Sequence, residues 1–372
     1  MIKNTEETLS AIVKMIELIR SGNHQNVIGR KFPEMNKEEF EELFSIAKAR
    51  VQNKKLPDNF FFSEDDLRFA TNWEVAEYRA EKMKCDTIID LCCGIGIQSI
   101  AFAKTCKKVI AIDIDERKVK YAKLNAEVAG VGNIEFHTGD ALEFAKTIKK
   151  ADAVFCDPSR PPEEQSRSMD SFTPNPEALM NSLKKVTTNF CFELPPQIKE
   201  FLPGCEKEYV SVNFQLNRLN AYFGNLKSYD VSAMMLPQKK SLNSDSEEFI
   251  FAYAPPLQFL YEIDGAVLKS EIVSRISEEG LFFYDKYLTS EKQVRSDFFK
   301  ASYKIIFYGA NSHEIILARL KDNEAGQVVL HGKVKPSAYW EERNFYEKKL
   351  EGGKTFHLFV MDSEVVLCEK IN

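Results

Sequence analysis

Asp90-Leu-Cys-Cys-Gly94-Ile-Gly96-Ile-Gln98 decides the fold. The apolar run at 87–91 reads as a strand and the stretch 94–104 as a helix, so both glycines fall at the turn between them. Glycine there lets backbone come close to a ligand, because no side chain intervenes. Alone, the turn is also compatible with a protein that binds nothing. Outward from it the pattern alternates. A strand is predicted over 108–112, then a helix over 116–129 with Asp115 as its cap and Gly130 past its end. A strand over 134–137, a helix over 141–147 and a strand over 151–156 follow. This β-α-β-α order predicts an α/β domain with a parallel, doubly wound, Rossmann-like sheet. Strand candidates at 189–193, 209–214 and 249–253 extend it, the last two as an antiparallel edge.

The flanks read differently. Residues 1 to about 55 are predicted helical: Leu9, Ile12, Val13, Met15, Ile16 and Ile19 recur at helical spacing, and Asn36-Lys-Glu-Glu39 has capping-box spacing. Thr71-Asn-Trp-Glu74 is a second such box, opening a helix to about Met83. After Pro255-Pro256 the pattern restarts. A helix is expected over 262–277, a strand over 304–308, a helix over 312–321, a strand over 327–334, a helix over 338–350 and a hairpin around Asp362-Ser363. The expected organisation is an N-terminal helical region (1–80), the Rossmann-like domain (81–256), a connecting segment (257–300) and a small α+β domain (301–372).

The chemistry is expected at the strand ends. Asp113 ends the second strand, 19 residues past Gly94, where an acidic side chain accepts hydrogen bonds from ribose hydroxyls. A dinucleotide fold would carry a third glycine where this chain has Ser99, so a pyrophosphate cradle is poorly supported. S-adenosyl-L-methionine has no phosphate and needs none, which makes it the expected cofactor. Asp140 follows the third strand and either accepts from an adenine amino group or caps the next helix. Asp157-Pro158-Ser159-Arg160 follows the fourth, beside the crevice where open α/β sheets bind ligands. The expected cofactor set is Asp90, Cys92, Gly94, Gly96, Asp113, Ile114, Asp140 and Ala141. Asp157, Pro158 and Arg160 are the expected catalytic residues, and Phe172 and Arg167 the expected acceptor contacts. Arg79 either meets the methionine carboxylate or forms a surface ion pair.

Composition narrows the classes. A net charge of −6 gives no support to strong non-specific nucleic-acid binding, although a local basic face remains compatible with it. No apolar run of eighteen residues occurs, and the start lacks a basic, apolar leader pattern, so a cytoplasmic protein off the membrane is expected. The eight cysteines include no C-x-x-C pair and the five histidines are scattered, so no metal is assigned.

Residues 60–172 resemble the methyltransferase domain of trimethylguanosine synthase-like proteins. The likeness is carried by Phe61-Phe-Ser63, Thr71 with Val75-Ala76, Asp90 to Gly96, Ala111-Ile-Asp-Ile-Asp115, Asn125-Ala126, Gly139-Asp140 and Asp157-Pro158. The chain also resembles, over nearly its whole length, prokaryotic methyltransferases with a C-terminal THUMP-like domain. That likeness adds Ala70-Thr71, Ala76-Glu-Tyr-Arg79-Ala80, Asp157-Pro-Ser-Arg160, Phe172-Thr-Pro174, Tyr261-Glu262 with Ala266, and Tyr287-Leu-Thr-Ser290. It implies a methyltransferase acting on RNA, at a tRNA or rRNA base, with the C-terminal unit holding RNA. Protein or small-molecule methylation, or a cofactor-binding accessory role, are the alternatives. In one respect the chain departs from amino-directed nucleic-acid methyltransferases: Ser159 and Arg160 replace their second proline and the aromatic that stacks on the target base. Phe172 and Trp73 are the two candidates to supply that face.

Overall fold

The computed structural model describes residues 5–159 and 169–371. The chain divides into two compact units. The first comprises residues 1–212 and 217–231, the second residues 213–216 and 232–372. Among the described residues no helix is long and apolar enough to cross a membrane.

The first unit begins with helices α1 (Thr5–Arg20), α2 (Gln25–Gly29) and α3 (Lys37–Gln52), the last capped by Asn36, which accepts from the Glu39 N–H at 2.9 Å. Phe60, Phe61 and Phe62 follow, all at most 2 % exposed. Each such burial stabilises by roughly 1.5–3 kcal/mol. The buried side chain of Asn125 clamps this stretch: its oxygen accepts from the Phe61 N–H (2.6 Å), and its amide donates to the carbonyls of Phe61 (3.1 Å) and Ile95 (3.0 Å). α4 (Glu64–Phe69) opens with a reciprocal Ser63–Asp66 capping box. α5 (Trp73–Lys82) is capped by Asn72, which accepts from the Glu74 N–H, so the expected Thr71 cap is displaced by one residue. Thr71 is held elsewhere, its hydroxyl donating to Glu193 at 3.2 Å.

The alternating pattern then appears as β1 (Thr87–Leu91), α6 (Ile97–Thr105), β2 (Lys108–Asp113), α7 (Glu116–Val128), β3 (Ile134–Thr138), α8 (Ala141–Ala145), β4 (Ala153–Cys156), α9 (Pro176–Leu183) and β5 (Phe190–Leu194). Two more strands, β6 (Glu206–Val212) and β7 (Gln215–Tyr222), complete the unit. The seven strands lie in the order β3-β2-β1-β4-β5-β7-β6, with β1 to β5 parallel and β7 antiparallel to β5. Asp115 caps α7 at the N–H groups of Arg117 and Lys118. The helix after the glycine turn is buried from Ile97 to Ala103, so it belongs to the core, not to an amphipathic shell.

The second unit carries the hairpin β8 (Val231–Leu236) and β9 (Lys240–Asn243), then β10 (Phe259–Ile263), α10 (Gly265–Lys269), β11 (Phe282–Tyr284), β12 (Tyr287–Ser290), β13 (Phe299–Ala310), α11 (His313–Asp322), β14 (Ala325–Gly332), α12 (Tyr339–Glu347), β15 (Lys354–Val360) and β16 (Glu364–Lys370). Its sheet runs β11-β12-β10-β13-β16-β15-β14.

Three expectations are corrected here. Residues 249–253 form no strand of the first sheet: Ile250 and Tyr253 are 97 % and 81 % exposed, and the apolar run is not buried. The helix over 262–277 is replaced by β10 and the short α10. Asp264 breaks the strand by capping Ala266 and Val267, and Glu271 at φ +60° ends the helix. Residues 257–300 are not a mere connection, since β10, β11 and β12 supply three strands of the seven-stranded sheet.

Candidate active site

The turn after β1 is shaped by three residues at positive φ: Cys92 (+69°), Gly94 (+56°) and Gly96 (+84°). The two glycines serve different ends. A Cβ on Gly96 would lie 2.9 Å from the Ala122 Cβ, so this glycine lets α7 pack against the turn. A Cβ on Gly94 would meet nothing within 4 Å, so this glycine faces open space.

Asp90 is fully buried on β1. The Ser99 hydroxyl donates to its Oδ2, while Oδ1 has no hydrogen-bond partner. Burial, together with the Asp113 charge, pushes its carboxyl up to about 7 despite the Ser99 bond. Asp113, at the end of β2, accepts from the Gly94 N–H at 2.8 Å and from the Asp115 N–H at 3.0 Å. The bond to Gly94 ties the two strand ends together. Each carboxylate oxygen keeps further acceptor capacity, which ribose hydroxyls would use. Next to it Ile114 is 75 % exposed, an apolar side chain suited to cover an adenine ring. Asp140 caps α8 through the Glu143 N–H (2.9 Å), and Ala141 is buried behind it. An orphaned buried oxygen, an open glycine and an exposed apolar side chain beside an acidic strand end fit S-adenosylmethionine.

Strand register places the acceptor side. Cys156 on β4 lies beside Phe192 on β5, which brings Asp157 alongside Glu193 at the same end of the sheet. Ser159 is fixed by paired backbone bonds with Thr173, its N–H donating at 2.9 Å and its carbonyl accepting at 2.8 Å. That N–H is therefore not available to cap Asp157. Burial first, then the Glu193 charge, raises the Asp157 carboxyl to about 8, with Arg218 and Arg79 opposing.

Sequence reasoning missed Glu193 and Arg218 and misplaced Arg79. Arg79 is fully buried. It pairs with Glu193, donates to Gln98 (2.6 Å) and Asn220 (2.7 Å), and sits 4.6 Å from the centre of the Phe155 ring. It is neither a surface ion pair nor, so enclosed, a group free for a ligand carboxylate. Arg218 pairs with the other Glu193 oxygen. Burial works against the Glu193 charge, but the two guanidiniums hold its carboxyl well below the usual range. The available signal was a glutamate ending an apolar strand, one strand over from Asp157. Phe172 is 3 % exposed, a core side chain with no face to offer, which corrects its assignment to the acceptor. Trp73 is half-buried, edge-on to Phe60, with the Lys104 ammonium 4.5 Å from its ring centre. Arg160 and Arg167 lie outside the described residues.

Residues 82–200 match the family model described as a methyltransferase domain, the region that carries the turn, Asp113, Asp157 and Glu193. This part of the chain is similar to methyltransferase domains, and its open glycine and strand-end carboxylates fit S-adenosylmethionine as the cofactor. An uncharacterised RNA methyltransferase from Oceanobacillus iheyensis is 26 % identical over 163 residues, 43 % of this chain and 35 % of that protein. The 23S rRNA (uracil(1939)-C(5))-methyltransferase of Hahella chejuensis is 35 % identical over 96 residues, 23 % of this chain and 22 % of that protein. The chain thus spans about a third or less of the length of these curated relatives. A crystal structure from Porphyromonas gingivalis W83, provisionally described as a methyltransferase, superposes with a TM-score of 0.75 at 17 % identity, covering 100 % of both chains. That likeness extends the shared fold to the whole chain.

Proposed function

We propose that the chain is an S-adenosylmethionine-dependent RNA methyltransferase. The observation that carries this reading is Asp157, held at the end of β4 in the same row of strand ends as Asp90 and Asp113. Asp90, Cys92, Gly94, Gly96, Asp113, Ile114, Asp140 and Ala141 would hold the cofactor, which supplies an electrophilic methyl group on sulfur. Asp157 accepts a hydrogen bond from the acceptor and stabilises the positive charge that grows as it attacks. Pro158 stiffens the turn; Arg160 is the further catalytic residue of this reading and Arg167 an acceptor contact, both outside the described residues. The rate comes mainly from orientation, since donor and acceptor meet in line.

RNA as the acceptor is supported by the names of the relatives. In this reading residues 301–372, part of the second unit, form a THUMP-like domain that holds RNA. Its cations support that role unevenly. Lys333 pairs with Asp362 and Arg343 with Glu347, whereas Trp340 is 64 % exposed with Arg343 5.4 Å from its ring centre. The eight free cysteines support a cytoplasmic setting. The test is transfer of labelled methyl from the cofactor to whole-cell RNA and, separately, to protein and small-molecule extracts. Label in RNA, lost in Asp157→Ala, is expected. Label confined to another extract would overturn the reading.

A further inference from the structure

The region that lacks the usual stacking aromatic has another one beside it. Phe69, the last residue of α4, is 66 % exposed, one of the most exposed aromatic rings of the first unit. The backbone under it is firmly held. Asp66 caps α4 and takes a two-pronged ion pair from Arg117 at 2.8 and 2.9 Å. The Lys55 ammonium donates to the carbonyls of Arg68 (3.3 Å) and Ala70 (2.8 Å). Arg218 reaches the Phe69 carbonyl at 3.5 Å while pairing with Glu193, and the Thr71 hydroxyl also binds Glu193. Residues 69–71 are thereby tied to Glu193 at the carboxyl end of β5, the strand that pairs with β4, after which Asp157 follows.

We propose, on the reading given above, that Phe69 and Arg68 form the platform on which the acceptor base stacks, in place of the aromatic that Ser159-Arg160 does not provide. The Arg68 guanidinium carbon lies 5.2 Å from the Phe69 ring centre, which adds a planar cation to the ring. Stacking on an aromatic face beside cations is how proteins hold single-stranded or extruded bases, because every base has a π-face and carries a phosphate with it. The surroundings match both needs, since the cationic side chains of Arg68, Lys55 and Arg218 all reach residues 68–70. An exposed apolar ring on a firmly held backbone leaves apolar surface in water, which a stacked base would cover. Neither alternative aromatic competes, because Phe172 is buried and Trp73 is packed against Phe60.

The test uses the full chain and whole-cell RNA as methyl acceptor. Initial rates are measured over a range of RNA concentrations for wild type, Phe69→Ala and Phe69→Tyr, and S-adenosylhomocysteine affinity is measured on each preparation. Phe69→Ala is expected to raise the apparent KM for RNA about 5- to 150-fold, the equivalent of one lost base stack. Phe69→Tyr should restore it, with affinity for S-adenosylhomocysteine unchanged throughout. An unaltered KM in Phe69→Ala, in a preparation that methylates RNA, would overturn the platform alone. Loss of S-adenosylhomocysteine affinity in the same variant would also overturn it, by making the ring structural. Methylation of protein and not RNA by the wild type would overturn the RNA reading, and the platform with it.

Discussion

Arg79 and Glu193 form an ion pair wholly sealed inside the first unit, with side chains 0 % and 2 % exposed. Their sequence separation is 114 residues, so the pair locks α5 onto the end of β5. It extends into a polar layer: Asn220 donates onward to Glu208 (3.0 Å), which also accepts from Lys82 (2.8 Å) and from the Tyr78 hydroxyl (2.6 Å). Removing one member of a buried pair leaves the other charge without compensation. Arg79→Met or Glu193→Gln is therefore expected to cost about 3–5 kcal/mol. In urea unfolding the double variant should lose clearly less than the sum of the singles. Additive losses would mean that the pair is not coupled.

The two glycines of the turn should separate in their effects. Gly96→Ala meets Ala122 and a left-handed backbone together, so the expected loss of stability is about 1–3 kcal/mol. Gly94→Ala also meets a left-handed backbone, at about 1 kcal/mol, but has space for its methyl group in the protein alone, so its further loss falls on S-adenosylhomocysteine affinity. Thermal melts with and without that ligand check both. Equal destabilisation by the two substitutions would contradict the division.

Asp113 is expected to bind ribose while bracing the turn through Gly94. Asp113→Ala should weaken S-adenosylhomocysteine binding by roughly 10- to 100-fold, the scale of charge-assisted hydrogen bonds of about 1.5–3 kcal/mol. Calorimetry gives the affinity. NAD binding without affinity for S-adenosylhomocysteine would remove the cofactor assignment.

Asp157→Asn should lower turnover about 10²-fold and leave cofactor affinity nearly unchanged, the loss expected for one preorganised polar contact. The wild type should also show a pH signature. Its Asp157 carboxyl is raised to about 8, so it is protonated in acid and the useful carboxylate form grows as pH climbs. Turnover is therefore expected to increase through neutral pH and to level above it. Arg218 opposes the rise, so Arg218→Gln should move the profile to higher pH. A flat profile between pH 6 and about 9 would exclude Asp157 from the rate.

Linkage gives stability the opposite trend. Asp90 and Asp157 both have folded-state values above their ordinary range. Their contribution is complete below the unfolded value, near 4, and is lost as pH rises through about 7 to 8. The ligand-free protein should thus denature at a lower urea concentration at pH 8.5 than at pH 6, and Asp90→Asn should flatten that difference. Stability that climbs with pH over this range would contradict the assignment.

The sequence by itself determined the alternating strands and helices, the glycine turn and the acidic residue at each strand end. Periodicity, caps and glycines act over a few residues, and Asp115 and Gly130 bound α7 as their residue types require. The same local reading mistook 249–253 for a strand and 262–277 for a helix, because burial and the Asp264 cap are not encoded in apolar runs. Tertiary structure alone decided what surrounds Asp157. Glu193 and Arg218 come from β5 and β7, and Arg79 from α5. These charges lie far apart along the chain and meet only when the strands align, and their removal from water is what makes each partner matter.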